Sequence, residues 1–387
     1  MMTKEDVELL RSEALRRAID ENIERDPNAI ALDRHIPHAQ LVATQVKYLQ
    51  RARRKLPHLY EARCIIPPRA FEQSSSEDSA ERKQLSGESL LDLCCGLGID
   101  AMAASRRFRR VVAVERDEVL AEVVRYNLTL LGIENVEVVS ASAEEYIDSV
   151  AEHFDWVFLD PDRRSEEGRK LVRMEDCSPN VMAMMPRLEA IASRVALKLS
   201  PLFDVEEALR LFPRAEVEVV SMAGECKELN LYTGCEHSVV RVAIVGQGEW
   251  HYAPEAMSRP TAMQRFTPEG WRYLLIPDVA LQKSRLVVAA LGSYASIWSN
   301  NGYGFAVDAP PEDIPARVLP IVSIERYRPK ELKRALKGLG VDILKRDTQL
   351  SVDAVRKAIG AHAGADRRIA ITTIERENWV IELDAYL

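Results

Sequence analysis

The sequence predicts an α/β protein: a mostly parallel, doubly wound sheet of seven strands, with a helical N-terminal region and a small α+β C-terminal module. Three observations carry this. From Leu90 onward, short apolar runs alternate with amphipathic stretches. The first run leads into a glycine-rich turn, and the second ends in an acid.

Residues 3–60 read as helices, with Val7, Leu10, Ala14 and Ile19 at helical spacing and Pro27, Pro37 and Pro57 as punctuation. Ile66-Pro67-Pro68 and the polar stretch from Gln73 to Ser79 mark a boundary. The expected strands are Leu90–Cys94, Val111–Val114, Val136–Val139, Trp156–Leu159, Val195–Leu199, Val217–Ser221 and Val239–Val245. Between them lie helical stretches such as Val119–Leu131, with Ala121, Val124 and Leu128 on one face. The last two runs have no helix between them and are expected to pair as an antiparallel hairpin. Gly246–Gly270, with Pro254, Pro260 and Pro268, reads as a linker. Beyond it, Pro329 opens a helix over Lys330–Leu339 that buries Leu332, Leu336 and Leu339.

Composition narrows the class. The chain has 387 residues, 47% hydrophobic and 29% charged, as in globular proteins of two or three domains. No apolar run approaches the ~20 residues of a membrane span. MMTKEDVELL lacks the apolar centre of a signal peptide, so no membrane partner and a cytoplasmic location are expected. Six cysteines without a CxxC or Cys/His pattern read as reduced thiols, and no metal is expected. Net charge of −8 argues against a non-specific nucleic-acid binder. Yet Lys47–Lys55 holds five basic residues and no acid, and Arg326–Arg346 holds eight basic residues against two acids. Such patches suit a specific polynucleotide or serve as solvated helix faces.

Two strings suggest chemistry. In LLDLCCGLGID, a buried strand runs into a turn with Gly96 and Gly98, where backbone can approach a ligand. VVAVERD ends in Glu115, placed to bind both ribose hydroxyls of an adenosine ligand. The third glycine of the dinucleotide fingerprint is absent, as is a P-loop Lys-Ser/Thr, so a phosphate-free adenosine fits better. In FDWVFLDPDRR, a buried strand stops at Asp160-Pro161, at the sheet edge where open α/β folds bind ligands.

Asp92-Leu93-Cys94-Cys95-Gly96-Leu97-Gly98 resembles motif I of the class I methyltransferases that use S-adenosylmethionine (SAM), with Cys94 at the first glycine position. The resemblance, over roughly residues 71–245, implies a Rossmann-like core and SAM as cofactor. It implies cofactor contacts from Asp92, Cys94, Gly96, Gly98, Asp100, Glu115 and Asp160. Ser142 stands where the adenine-reading acid usually lies, so that role falls to Ser142, Ala143 or Glu144. Ser74–Glu77 is expected to close over the methionine end. KLPHLYE, EQSSSEDSAERK, DPDRR, ALKLSP and ECKEL resemble, in this order, a bacterial group carrying a ferredoxin-like module and a THUMP-like domain. That implies a division into 1–70, 71–246, 271–320 (ferredoxin-like) and 321–387 (THUMP-like), and RNA, usually tRNA, as partner.

The target atom stays open. Amino-group methyltransferases carry Asp/Asn-Pro-Pro-aromatic here, and this chain has Asp160-Pro161-Asp162-Arg163. Arg163 and Arg164 are expected on substrate phosphate, or in pairs with Glu166 and Glu167. Pyrimidine C5 chemistry needs a nucleophilic Cys, and Cys177 lacks the usual context. A 2′-O set of Lys83, Asp160, Lys198 and Glu228 matches in order and doubles as a structural ion-pair group. The expectation is therefore a SAM-dependent methyltransferase acting on tRNA or rRNA, with Asp160 and Lys198 catalytic. The alternatives are a small-molecule or protein methyltransferase and a non-catalytic RNA binder retaining a SAM pocket. Oligomeric state is not readable from the sequence.

Overall fold

The computed structural model describes residues 2–161, 178–258 and 265–384. Contacts divide it into two compact units, Met1–Ser200 with Tyr232–Gly234, and Pro201–Leu231 with Cys235–Leu387.

The first unit begins with α1 (Lys4–Arg11), α2 (Glu13–Glu21), α3 (Pro27–Leu32), α4 (Ala39–Lys55), α5 (Pro57–Glu61), α6 (Pro68–Gln73) and α7 (Glu77–Arg82). The punctuation read from the sequence acts as caps. Thr3 and Asp6 form a capping box, Ser12 caps α2, and Pro27, Pro57 and Pro68 sit in first turns. The doubly wound part follows as β1 (Gly87–Asp92), α8 (Ile99–Ala104), β2 (Phe108–Glu115), α9 (Glu118–Leu131), β3 (Val136–Ser140), α10 (Ala143–Ser149), β4 (Phe154–Leu159), α11 (Val181–Ile191) and β5 (Ala192–Leu199). These five strands lie in the order β3-β2-β1-β4-β5, all parallel. The order reverses between β1 and β4, which opens a crevice at the carboxyl ends of those strands.

The helical region is not a separate body. Val46, Leu49 and Leu59 share one buried core with Leu97, Met102 and Val124. Asn127 of α9, fully buried, donates to Ile65 O and accepts from Ile65 N, each at 2.9 Å. That reciprocal pair ties the segment before α6 to the sheet's own helix layer.

The second unit holds α12 (Val205–Leu211), β6 (Glu216–Met222), β7 (Glu225–Tyr232, up to Leu231), β8 (Val239–Ile244) and β9 (Gly248–Tyr252). Two sequence expectations are corrected here. β6 and β8 run parallel in register rather than as a hairpin, because β7 intervenes in the chain. The left-handed pair Ala223-Gly224 turns β6 directly into β7. The expected linker contains β9, antiparallel to β8. The strand count from β1 to β9 is thus nine, not seven. ECKELNLY does not read as a strand because Glu228 and Asn230 are buried where a strand pattern calls for apolar residues.

The remaining elements are β10 (Tyr273–Pro277), α13 (Val279–Lys283), α14 (Val287–Leu291), β11 (Ser296–Ile297), β12 (Gly304–Ala306), β13 (Ala316–Arg326), α15 (Pro329–Leu336), β14 (Gly340–Lys345), α16 (Val352–Ile359), β15 (His362–Ile374) and β16 (Glu377–Leu383). They form one sheet in the order β11-β12-β10-β13-β16-β15-β14. The 320/321 divide drawn from the sequence falls inside β13, which pairs with β10 at one end and β16 at the other. α15 stops at Leu336, three residues short of the expected end, and Gly338 then takes φ 82°. Among the described residues, no helix is long and apolar enough to cross a membrane.

Candidate active site

The crevice is built from the turn after β1. Cys95 N donates to Val114 O at 3.0 Å and Gly98 N to Cys95 O at 2.7 Å, closing the chain tightly between strand and helix. Both glycines are required there, for different reasons. Gly98 has φ 79°, and a Cβ on it would lie 2.9 Å from Val124 Cγ1, so it permits close packing of the turn on α9. Gly96 has φ 53°, and a Cβ on it would meet nothing within 4 Å, so it faces open space.

Four carboxylates converge on this turn. Glu115, at the end of β2, accepts from Gly96 N at 2.9 Å and from Asp117 N at 2.8 Å. Burial nonetheless raises its pKa. Asp92, 1% exposed, accepts from Cys94 N at 3.2 Å through Oδ1. Its Oδ2 is buried with no hydrogen-bond partner among the described residues. Burial first, then the charges of Asp100, Asp160 and Glu115, push the Asp92 carboxyl well above the usual range. A buried acceptor that lacks a donor, amid negative charge, suits a cationic ligand group. SAM carries an α-ammonium and a sulfonium, and the residues present fit it.

Asp160 follows β4 directly. Its Oδ2 lies 2.7 Å from Lys198 Nζ, the ammonium of the penultimate residue of β5. Lys198 also donates to Ser75 Oγ at 2.9 Å, and Ser75 donates to Asp100 Oδ2 at 2.7 Å. Asp100 Oδ1 lies 2.6 Å from Lys83 Nζ, whose side chain is 3% exposed. The result is an alternating chain, Asp160–Lys198–Ser75–Asp100–Lys83, running from the end of β4 through Asp100 at the start of α8 to Lys83 at the C-cap of α7. Burial acts to raise the Asp100 carboxyl, but Lys83, Lys198 and the hydrogen bonds outweigh it and hold the pKa low.

The residues expected from the sequence are distributed unevenly around this crevice. Asp92, Cys94, Gly96, Gly98, Glu115 and Asp160 surround it, and Lys198 joins them through Asp160. Asp100, expected on the cofactor, spends its carboxylate on Lys83 and Ser75. Ser142 is the N-cap of α10, in a capping box with Glu145, and Ala143 opens that helix. Glu228 folds with the second unit, buried and accepting from Asn230 Nδ2. Asp162, Arg163, Arg164 and Cys177 lie outside the described residues. Sequence reasoning missed the linking role of Ser75, although it lies in the serine cluster already expected near the cofactor.

A family model described as "Conserved hypothetical protein 95" matches residues 75–177, and one described as "THUMP domain-like" matches residues 316–385. An uncharacterised S-adenosylmethionine-dependent methyltransferase of Mycobacterium tuberculosis (strain ATCC 25618 / H37Rv) is 25% identical over 326 residues, covering 82% of this chain and 87% of that one. A tRNA/tmRNA (uracil-C(5))-methyltransferase of a Nitratiruptor species is 33% identical over 123 residues, 26% of this chain and 34% of its own. A crystal structure from Porphyromonas gingivalis W83, itself provisionally assigned as a methyltransferase, superposes with a TM-score of 0.81 at 23% identity, covering 99% of both chains. The strand-turn-helix crevice lies within the stretch that the first model matches, the second model marks a THUMP-like region at the C-terminal end, and over most of its length the chain is similar to proteins named as SAM-dependent methyltransferases.

Proposed function

We propose that this SAM-dependent methyltransferase acts on RNA, at a base or ribose of a structured tRNA or rRNA, with Asp160 and Lys198 at the reacting end. The observation that carries the reading is the Asp160–Lys198 pair at the carboxyl edge of β4 and β5, joined through Ser75 and Asp100 to the start of α8. The THUMP-like match and the short match to tRNA/tmRNA methyltransferases support RNA as the substrate.

In this reading Asp92, Gly96, Gly98 and Glu115 hold SAM, which when bound supplies an electrophilic methyl. Asp92 Oδ2 would accept from the ammonium, and Glu115, already oriented by two backbone N–H groups, retains acceptor capacity for ribose hydroxyls. Ser142 and Ala143 would line the adenine, through the start of α10 rather than through the Ser142 hydroxyl. Asp160 accepts a hydrogen bond from the N–H or O–H of the incoming nucleophile, and so aligns its lone pair for in-line attack. Lys198 keeps Asp160 oriented and offsets its charge. Arg163 and Arg164, which follow Asp160 closely in the chain, would meet substrate phosphate. The two cysteines of the turn offer no nucleophile for C5 chemistry. Burial, then nearby acids, push the thiols of Cys94 and Cys95 well up, away from nucleophilic thiolate.

The test is transfer of labelled methyl from SAM to total RNA, followed by nucleoside analysis. Wild type should label RNA and Asp160→Ala should not. Label in small metabolites or protein, with none in RNA, would overturn the substrate assignment.

A further inference from the structure

α4 buries Val42, Ala43, Gln45, Val46, Leu49 and Ala52 on one side. Its other side carries Lys47, Arg51, Arg54 and Lys55, and at 1.5 Å per residue these span about 12 Å along the axis. Lys47, Arg51 and Lys55 lie over a two-ring platform. Lys47 Nζ is 5.9 Å from the Tyr48 ring, and the Arg51 guanidinium is 5.2 Å from Tyr48 and 4.9 Å from Phe71. Lys55 Nζ is 4.7 Å from Phe71. The two rings pack edge-on at 5.5 Å. Glu72 is the one acid that Arg51 holds, and Lys47 and Arg54 have no acidic partner among the described residues. Cations fixed at regular spacing over aromatic faces, with a single acid among them, present a preorganised positive stripe that is complementary to a polyanion.

The row leads into the candidate active site. Lys55 Nζ donates to Phe71 O at 2.6 Å, and Ser74 Oγ donates to the same carbonyl at 3.1 Å. The next residue, Ser75, accepts from Lys198, which pairs with Asp160. Burial, then Lys198 and Arg51, bring Lys55 down to about 8 despite Glu72.

We propose that α4 is a docking track for an unstacked single strand of RNA, with backbone phosphates on Lys47, Arg51 and Lys55 and the target nucleotide turned in at Asp160. Successive cations four residues apart stand about 6 Å apart along the axis. A nucleotide that is to reach Asp160 at the sheet edge must leave any stack it sits in, so the strand these cations follow is an unstacked one, the form in which single-stranded RNA is read. The proposal rests on the RNA reading above for its substrate. It adds where the strand runs and which residues hold it.

The test is fluorescence anisotropy on the full chain, with a labelled single-stranded RNA decamer between about 50 and 200 mM salt. Lys47→Gln, Arg51→Gln and Lys55→Met should each weaken binding several-fold and lower the salt slope by about 0.7. Glu72→Gln should tighten binding. Arg53→Gln, whose native partner is Glu24, should change nothing. Circular dichroism melts identify any variant that fails to fold, and Lys55→Arg should rescue affinity lost in Lys55→Met. Wild-type affinity and slope in the triple variant would overturn the track. So would preference for a duplex of the same sequence, or equal displacement by polyglutamate. The outcomes separate cleanly from the function test. RNA methylation that ignores the triple variant sinks the track alone. Track-dependent binding without any methyl transfer sinks the catalytic reading alone.

Discussion

Each unit buries a polar cluster, and the two are built differently. In the second unit, Arg241, 1% exposed, contacts Glu216 at 2.6 Å, Glu218 at 3.1 Å and Glu249 at 3.2 Å. These residues lie within β6, β8 and β9, with Glu218 directly across from Arg241. One cation among three acids, inside the strands, is a device for holding three strands in register. In the first unit, Asp160, Lys198, Asp100 and Asp92 sit at strand ends or just beyond them, at the edge where the strand order reverses. There Asp92 retains a buried oxygen without a donor among the described residues. Burial of charge therefore does not mark a site by itself. Position at the carboxyl edge and unused bonding capacity do.

The contrast can be broken by mutation. The largest effect should come from Asp160→Ala, with methyl transfer falling by about 10²- to 10⁴-fold and a thermal midpoint close to wild type. A large loss of stability instead would class Asp160 with the structural cluster. Arg241→Met should do the reverse. It leaves buried acids uncompensated and should cost about 3–5 kcal/mol in urea denaturation, with turnover per folded molecule unchanged.

Asp92 sharpens the comparison through pH. Its carboxyl is raised in the fold, so the native state holds a proton that the unfolded chain releases above about pH 4. Its contribution to stability is present below that pH and is lost as pH rises toward the folded value. Asp92→Asn should remove this decline, so the variant should gain on wild type as pH rises from about 4 to 7. The same substitution should weaken SAM binding roughly tenfold by calorimetry. A wild-type pH profile in Asp92→Asn would mean that the residue is not protonated in the fold.

The smallest effect is expected from Ser75→Ala. Loss of the hydroxyl that joins Lys198 to Asp100 should cost about 1–2 kcal/mol of stability. It should slow methyl transfer about tenfold at unchanged KM for RNA. No change in rate would make Ser75 a packing residue.

Much of the first unit was legible from local pattern. A strand, a turn with left-handed glycines, a helix and a second strand ending in Glu115 are set by neighbours in the chain. Periodicity and glycine conformation read such neighbours directly. Asp160 was legible for the same reason, as the residue that ends an apolar run. β7 was not, because its buried Glu228 and Asn230 break the apolar alternation that marks a strand. β9 was hidden among the glycines and prolines of an expected linker.

The sequence by itself determined which residue types stand at the strand ends: the glycines of the turn, the acids at Asp92, Glu115 and Asp160, and the cations on one side of α4. Only the tertiary structure decided how they are connected. Ser75 and Lys198 are 123 residues apart, and their hydrogen bond exists because folding brings the serine segment to the end of β5, beside β4. The burial of Asp92 Oδ2 without a partner among the described residues, the closure of Asp100 on Lys83 and the platform beside α4 are likewise products of packing. Local preferences act over a few residues, whereas partner choice in a buried polar network is set by whichever groups folding brings within about 3 Å of each other.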